Sequence, residues 1–247
     1  MKTLAAILTI TTSLAEPVPM TFTATDRTEV LYRFAAPEKS EEGKAYPLVL
    51  FLHGAGERGT DNKAQLMHGV NDILKGAADL GEPVFLIAPQ CPPDRWWAEP
   101  TPDRLGLKDA GGKSSLPSAV LELIEETAKK HPVDRKRIYV TGLSMGGFGT
   151  FDMLARAPDT WAAAIPICGA GDPESVSKFK GVPIRIFHGA ADAVVPPKGS
   201  EVMAAALKKA GADVELTLYP GVGHDSWTQT YRDPEVIKWL FAQKKPD

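Results

Sequence analysis

Short apolar runs alternate with segments of helical periodicity along most of the 247-residue chain. Residues 20–24 and 30–36 are two such runs, and the polar stretch "TDRTE" between them predicts an antiparallel hairpin. Later runs are almost wholly apolar, which is typical of parallel strands covered on both faces. These runs occupy residues 48–54, 83–90, 137–142, 162–169, 183–190 and 214–220.

Helical patterns fill the intervals at residues 61–77, 115–130, 145–157, 200–210 and 234–244. The repetition of strand, helix and strand predicts a doubly wound, mostly parallel eight-stranded sheet preceded by the antiparallel hairpin. A functional site is expected at the carboxyl ends of the parallel strands. The glycine-rich stretch 103–115 is expected to form part of its rim. Between Cys168 and Ile184 there is room only for a short loop and about one turn of helix, so no large cap domain is expected.

The first fifteen residues, "MKTLAAILTITTSLA", combine a positive start at Lys2, an apolar stretch and the small residues Ser13 and Ala15. This layout predicts a secretory signal peptide at residues 1–15, with a core strand as the alternative. Residues 16–247 would then be one catalytic domain in a secreted or periplasmic protein.

Composition narrows the possible partners. The chain is 43% hydrophobic and 24% charged, with a net charge of −3, which is typical of a folded domain with a substantial core. It contains no block of basic residues, so neither a nucleic acid nor a membrane is an expected partner. Cys91 and Cys168 follow strands expected to lie three positions apart, roughly 14 Å, beyond the ~7 Å that a disulfide allows. We expect two unpaired thiols.

One serine is enclosed by glycines directly after an apolar run. The stretch "GLSMG", residues 142–146, fits G-x-S-x-G and lies where a predicted strand joins a predicted helix, as a nucleophile elbow requires. Small residues leave room for the sharp turn, and the N–H groups at the start of the helix point towards the hydroxyl. A phosphate-binding turn is the alternative, but the stretch lacks a P-loop lysine. The pattern predicts that Ser144 is an exposed nucleophile.

A serine hydroxyl reacts at neutral pH only with the help of a base and an orienting acid. Asp192 follows the apolar run 183–190, and His224 lies in a glycine-flanked loop after the run 214–220. The chain order of serine, aspartate and histidine is that of α/β-hydrolases. We therefore expect His224 to accept the Ser144 proton and Asp192 to orient the imidazole. Asp172, after the run 162–169, is the alternative acid.

Acyl transfer also needs backbone N–H donors for a developing oxyanion. The first predicted donor is the amide of Met145, the residue after the nucleophile. The second is expected in the loop "HGAGERGTDN", residues 53–62, from the Ala55 amide, with the Gly56 amide as its alternative.

Several stretches together carry a family resemblance: "LHGAGERG", "PQCPPDRWW", "GLSMGGFGTF", "PICGAGD", "FHGAADAVVP" and "GVGHDSW". The chain resembles the α/β-hydrolase superfamily from about Met20 to its C terminus. More narrowly, it is similar to secreted single-domain esterases of the dienelactone-hydrolase-like and feruloyl-esterase-like kind, which include predicted peptidases and polyhydroxybutyrate-depolymerase-like proteins. The resemblance implies an α/β-hydrolase fold, with nucleophile, acid and base at Ser144, Asp192 and His224. The loop "HGAGERG" differs from the HGGG of many lipases. The resemblance therefore does not decide whether Ala55 or Gly56 supplies the second oxyanion donor.

Further positions are expected to contact the substrate: Gly56, Trp97 and Trp227. Trp96 and Trp97 follow a predicted strand at its carboxyl end, where a tryptophan can stack on a sugar or an aromatic acyl group. Alternatively, one or both fill the core beneath the loop, as tryptophans often do. Trp227 has the same two interpretations.

These residues predict a serine hydrolase that cleaves carboxylic esters through an acyl-enzyme. No cofactor and no metal are expected, because no cluster has metal-ligand spacing. The expected substrates are small-molecule or polysaccharide-linked esters, such as feruloyl or acetyl esters of plant polysaccharide. A serine peptidase of the prolyl-oligopeptidase-like type and a catalytically inactive binding module are the alternatives.

Overall fold

The computed structural model describes residues 16–112 and 115–246, so the predicted signal peptide at 1–15 lies outside the described residues. The strands are β1 (Val18–Thr23), β2 (Glu29–Ala35), β3 (Tyr46–Leu52), β4 (Phe85–Pro89), β5 (Val133–Leu143), β6 (Ala163–Ile167), β7 (Ile184–Gly189) and β8 (Val214–Tyr219). The helices are α1 (Val70–Asp79), α2 (Ser115–Lys130), α3 (Met145–Arg156), α4 (Val176–Phe179), α5 (Lys198–Lys209), α6 (Trp227–Arg232) and α7 (Pro234–Ala242).

The eight strands form one sheet in the order β1-β2-β4-β3-β5-β6-β7-β8. β1 pairs with β2 and β2 with β4 in antiparallel fashion, and the other neighbours are parallel. This confirms the predicted fold class, a doubly wound sheet with an antiparallel N-terminal hairpin. The carboxyl ends of β3, β5, β7 and β8 open on one edge, where the predicted site residues follow.

Alternation along the central strands divides the core between the two faces of the sheet. Every residue of β3 is buried, but Leu48 and Leu50 pack in one cluster with α2 and α5, whereas Val49 and Phe51 pack in another with α1 and α7. Burying an apolar side chain of this size stabilises a fold by roughly 1.5–3 kcal/mol. The sheet with its two layers of helices is therefore a rigid base for the loops above it.

One predicted helix begins later than its periodicity suggests. The pattern over residues 61–77 predicts a single helix, but α1 begins at Val70, and a 3-10 turn at Ala64–Leu66 precedes it. Gly69 has φ +73°, a left-handed conformation that interrupts a helix. The Asp61 carboxylate accepts bonds from the amides of Lys63 and Ala64, so it stabilises a turn instead.

The segment between β6 and β7 contains only a 3-10 turn (Pro173–Ser175) and the four-residue α4. The expectation that no large cap covers the site is therefore met in this segment. Cys91 and Cys168 are both free and buried, as the order of the strands predicts. Burial raises the pKa of the Cys91 thiol to about 12. In the part of the chain that the structure describes, no helix combines the length and apolar character that a membrane span requires.

Candidate active site

Ser144 lies between the end of β5 and the start of α3 in a strained backbone conformation, φ 53° and ψ −115°. Such strain is typical of functional turns. Its glycine neighbours are required by close backbone contacts. A Cβ at Gly146 would lie 1.9 Å from the Leu52 carbonyl oxygen, and one at Gly142 would lie 2.4 Å from the Gly146 carbonyl oxygen. Only a residue without a side chain fits either position, and the turn holds the hydroxyl above the sheet edge.

The structure brings Ser144, His224 and Asp192 together in a hydrogen-bonded chain, which we call the relay. His224 Nε2 lies 2.9 Å from Ser144 Oγ, and His224 Nδ1 lies 2.7 Å from Asp192 Oδ2. The three residues follow β5, β8 and β7, so three separate loops meet above one edge of the sheet. This arrangement lets the imidazole take a proton from the hydroxyl while the carboxylate fixes its tautomer.

Asp192 is held from both sides. Its Oδ1 accepts bonds from the amides of Val194 at 2.8 Å and Val195 at 3.0 Å, which leaves Oδ2 for His224. Burial alone would raise the pKa of Asp192, but the bonds from His224, Val195 and Val194 hold it below its usual value. The alternative acid, Asp172, caps the 3-10 turn Pro173–Ser175 by accepting the Glu174 amide at 3.0 Å. The geometry therefore favours Asp192 as the acid.

A second histidine contacts the same carboxylate. His188, on β7, is fully buried and places Nε2 3.2 Å from Asp192 Oδ2 and 3.0 Å from the Val195 carbonyl. Its Nδ1 and the Gly169 carbonyl both lie 2.7 Å from Ser200 Oγ. Because Nε2 faces two acceptors, it carries the ring proton, and Nδ1 can accept from the Ser200 hydroxyl.

Nε2 of His188 thus donates towards the Val195 carbonyl and the Asp192 carboxylate. Burial lowers the pKa of His188, although the Val195 carbonyl and Asp192 favour its protonated form. The Nε2–H of the neutral ring therefore adds a second donor to Asp192 Oδ2, beside that of His224. The sequence gives no signal for a role of His188, because a histidine within an apolar strand carries no motif of its own.

Cys168 lies beneath the elbow. It has φ 41°, and its Sγ accepts the Ser144 amide at 3.3 Å. Among the described residues, the one cluster of three potential metal ligands is Cys168, Asp192 and His224, with ligand atoms within 4.8 Å of one another. Burial raises the pKa of the Cys168 thiol, which disfavours the thiolate that a metal needs. Asp192 and His224 are hydrogen-bonded to each other, so this pair is better suited to proton transfer than to metal binding.

The predicted oxyanion donors lie beside the serine. Met145 is the first residue of α3, and Ala55 begins a 3-10 turn, Ala55–Glu57, after β3. Ala55, Gly56 and Met145 border the same cleft as Ser144. Within the described ranges, none of these amides donates to a protein acceptor, so all are available to a ligand oxygen. The second donor stays a prediction, with Ala55 and Gly56 both in place.

The cleft above Ser144 has a volume of about 260 Å³ and is walled by apolar and aromatic side chains, with Glu57 and Arg104 as its charged members. Ligand pockets commonly measure roughly 300–1,000 Å³. Only part of a large substrate would therefore fit inside. A larger concavity of about 940 Å³ lies between β1 and α2, and none of the predicted site residues lines it.

The structure corrects the expectation for one tryptophan. Trp97 is fully buried, its Nε1 donates to the His53 carbonyl at 3.0 Å, and it does not line the cleft. Trp96 lines the cleft instead, beneath the Arg58 guanidinium at 5.1 Å. This loop thus turns one of the two consecutive tryptophans into the core and the other towards the cleft. Gly56 and Trp227, also predicted to contact substrate, do line the cleft.

Comparison with known proteins identifies the family. The profile of the dienelactone hydrolase family matches residues 107–238, more than half of the chain. The chain belongs to this family. The matched range includes the three residues of the relay, and the fold described above is that of the α/β-hydrolases.

Individual relatives agree with the family. The crystal structure of a thermostable esterase superposes with a TM-score of 0.86 and is 38% identical, covering 93% of this chain and 63% of that chain. Feruloyl esterase B from Thermothelomyces thermophilus is 26% identical over 237 residues, 80% of this chain and 77% of that protein. Dipeptidyl peptidase family member 1 from Caenorhabditis elegans is 22% identical over 240 residues, 85% of this chain and 29% of that protein.

The chain spans 12%, 29% and 56% of the length of three curated relatives that it matches. Family membership and the esterase relatives support the prediction of a carboxylic ester hydrolase.

Proposed function

We propose that this protein hydrolyses carboxylic esters through an acyl-enzyme formed on Ser144. One observation carries the proposal: an unbroken hydrogen-bond path runs from Ser144 Oγ through His224 to Asp192 at the base of the cleft. The dienelactone hydrolase family and the esterase relatives support ester hydrolysis as its purpose.

The mechanism follows from these positions. Ser144 Oγ attacks the ester carbonyl while its proton passes to His224 Nε2. The carbonyl oxygen becomes an oxyanion that accepts bonds from the Met145 amide and the Ala55 amide, and such a donor contributes about 3–4 kcal/mol to the transition state. His224 then protonates the leaving alkoxide. A water molecule, deprotonated by the same imidazole, releases the acid and restores the serine.

The substrate proposal is an ester whose larger part extends outside the cleft, such as a feruloyl or acetyl ester of plant polysaccharide. The small volume of the cleft and the similarity to feruloyl esterase B support it. Export by the predicted signal peptide at 1–15 would bring the enzyme to such a substrate. Similarity to a dipeptidyl peptidase makes a serine peptidase the second candidate.

Labelling with a fluorophosphonate probe tests the nucleophile. We expect the probe to label the wild type and not Ser144→Ala, whereas Ser177→Ala, an exposed position on α4, keeps the label. Labelling that persists in Ser144→Ala would contradict the proposal. A panel of acetyl, feruloyl and long-chain esters beside a peptide substrate then assigns the reaction, since cleavage of the peptide alone would favour the second candidate.

A further inference from the structure

Glu57 has a carboxylate for which the proposed reaction has no use. Its residue is only 8% exposed, yet it lines the cleft with Ser144 and His224. A Cβ at Gly54 would lie 2.9 Å from Glu57 Oε2, so this oxygen is pressed against the loop that carries the predicted oxyanion donors. A negative charge beside a developing oxyanion is unfavourable for the proposed chemistry.

No protein hydrogen bond reaches this carboxylate within residues 16–112 and 115–246. Its one charged or titratable neighbour within ion-pair distance, over the same residues, is His68, with Nε2 3.8 Å from Oε1. The adjacent Arg58 is turned elsewhere, with Nε on the Ala55 carbonyl and its guanidinium over Trp96. A buried carboxylate without a hydrogen-bond donor is costly, and its acceptor capacity is available to a ligand in the cleft.

The wall that includes Glu57 lies on the leaving-group side. The His68 ring packs on the Trp227 ring at 5.6 Å, and the Trp227 ring packs edge-on against the His224 ring at 5.2 Å. In the proposed mechanism His224 delivers its proton to the leaving oxygen, which must therefore lie beside this imidazole. The alcohol part of the ester is then bordered by Trp227 and the Glu57–His68 pair.

Charge indicates which alcohol fits. Arg104 also borders the cleft. Over the described residues 16–112 and 115–246, one of its guanidinium N–H groups bonds the Val194 carbonyl at 2.6 Å, which leaves further N–H groups to serve a ligand. The cleft thus combines a carboxylate acceptor, a guanidinium donor and an aromatic face. Hydroxyl groups both donate and accept, and the C–H face of a sugar packs on an indole ring. A cationic alcohol would meet Glu57 favourably but would be repelled by Arg104.

We propose that Glu57 forms a leaving-group subsite that accepts hydrogen bonds from the hydroxyls of a sugar or similar polyol. The subsite rests on the proposed ester hydrolysis, whose substrate class it specifies. Glu57 is in this view a specificity residue that touches the alcohol part of the substrate and takes no part in bond cleavage.

Acetyl esters that differ only in their alcohol test the subsite. We compare kcat/KM for 6-O-acetylglucose, ethyl acetate and acetylcholine in the wild type, Glu57→Gln, Glu57→Ala and the control Glu42→Gln, which removes an exposed carboxylate before β3 at the opposite edge of the sheet. Losing a bond to a charged acceptor should lower the preference for 6-O-acetylglucose over ethyl acetate about tenfold or more. Glu42→Gln should keep the wild-type preference.

Other results overturn the subsite. An equal loss on all three esters would show that Glu57 only supports the loop, and a loss confined to acetylcholine would show a cation site. Binding is followed separately in Ser144→Ala and in Ser144→Ala/Glu57→Gln, by quenching of tryptophan fluorescence with methyl glucoside. We expect the second protein to bind at least tenfold more weakly. If the wild type cleaves no ester, the proposed function fails and this titration alone decides the subsite.

Discussion

Asp192 divides its two carboxylate oxygens between the loop and the relay. Oδ1 is fixed by two backbone amides, while Oδ2 faces His224 at 2.7 Å. We expect Asp192→Asn to lower kcat by about 10³–10⁴-fold, because an amide cannot hold the reactive tautomer of the imidazole. Asp172→Asn, at the cap of a 3-10 turn, should reduce kcat far less. Steady-state kinetics on a soluble acetyl ester measures both losses of kcat. A larger loss in Asp172→Asn than in Asp192→Asn would assign the role of the acid to Asp172.

His188 is a positioning residue for the same carboxylate. Its Nε2 lies 3.2 Å from Asp192 Oδ2, and His188→Leu would remove this contact while filling the buried space. We expect kcat to fall about tenfold with little change in KM, the amount that one bond to a charged group can supply. Ser200→Ala, which removes only the partner of Nδ1, should have a smaller effect on kcat. Equal losses in both variants, with matching losses of thermal stability, would reduce His188 to a packing role.

The meeting of Ser144, Asp192 and His224 above one edge of the sheet could be anticipated from chain order and strand ends, while their catalytic roles stay a prediction. Ser144 follows an apolar strand with glycines around it, and Asp192 and His224 follow later strands, so geometry could be anticipated from position. The stretch "GAGERG" does not reveal, however, that a 3-10 turn buries the Glu57 carboxylate in the wall of the cleft. The prediction that Trp97 contacts the substrate was wrong for a related reason. Position along a loop does not determine which of two neighbouring tryptophans faces the core.

At the scale of elements, the predicted strands and helices were recovered, and the errors lie at their ends. A period of 3.6 residues continued from residue 61 into α1, but it could not show that Gly69 adopts φ +73° and breaks the run. The short α6 was not predicted, because six residues are too few for a periodic pattern to emerge. Elements defined by the sheet were predictable, and those defined by loop contacts were not.

The junction of β5 and α3 tolerates no side chain at Gly146. An added Cβ would lie 1.9 Å from the Leu52 carbonyl oxygen, and backbone on both sides must then move. We expect Gly146→Ala to destabilise the fold by about 1–3 kcal/mol or more and to lower kcat/KM at least 100-fold, since a displacement near 1 Å can cost about that much. Gly181→Ala, where a Cβ meets nothing within 4 Å, is the control in thermal unfolding and kinetics. Equal behaviour of the two variants would contradict the packing argument.

For the whole molecule, buried titratable groups connect the fold to pH. His53 directly follows β3 and is 1% exposed, and its Nε2 accepts the Cys91 amide at 2.9 Å. Burial lowers the pKa of His53 from 6.5 to about 4. Its neutral ring therefore anchors the β3 loop to the end of β4, and protonation would remove this acceptor.

Acid should therefore weaken the fold before the carboxylates titrate. Between about pH 6.5 and pH 4, His53 is protonated in the unfolded chain but neutral in the folded chain. Stability is thus fully present above pH 6.5 and is lost as the pH falls, by about 3 kcal/mol in this window. Burial lowers the pKa of His188 as well, which adds a loss of the same sign. Urea unfolding at pH 7, 5.5 and 4 measures the fall in the free energy of unfolding.

The variant His53→Gln tests the source of this fall, because its side-chain oxygen can accept the Cys91 amide without titrating. We expect it to be less stable than the wild type at pH 7 but to lose less free energy of unfolding on acidification. A variant that loses as much as the wild type would exclude His53 as a source of the acid sensitivity.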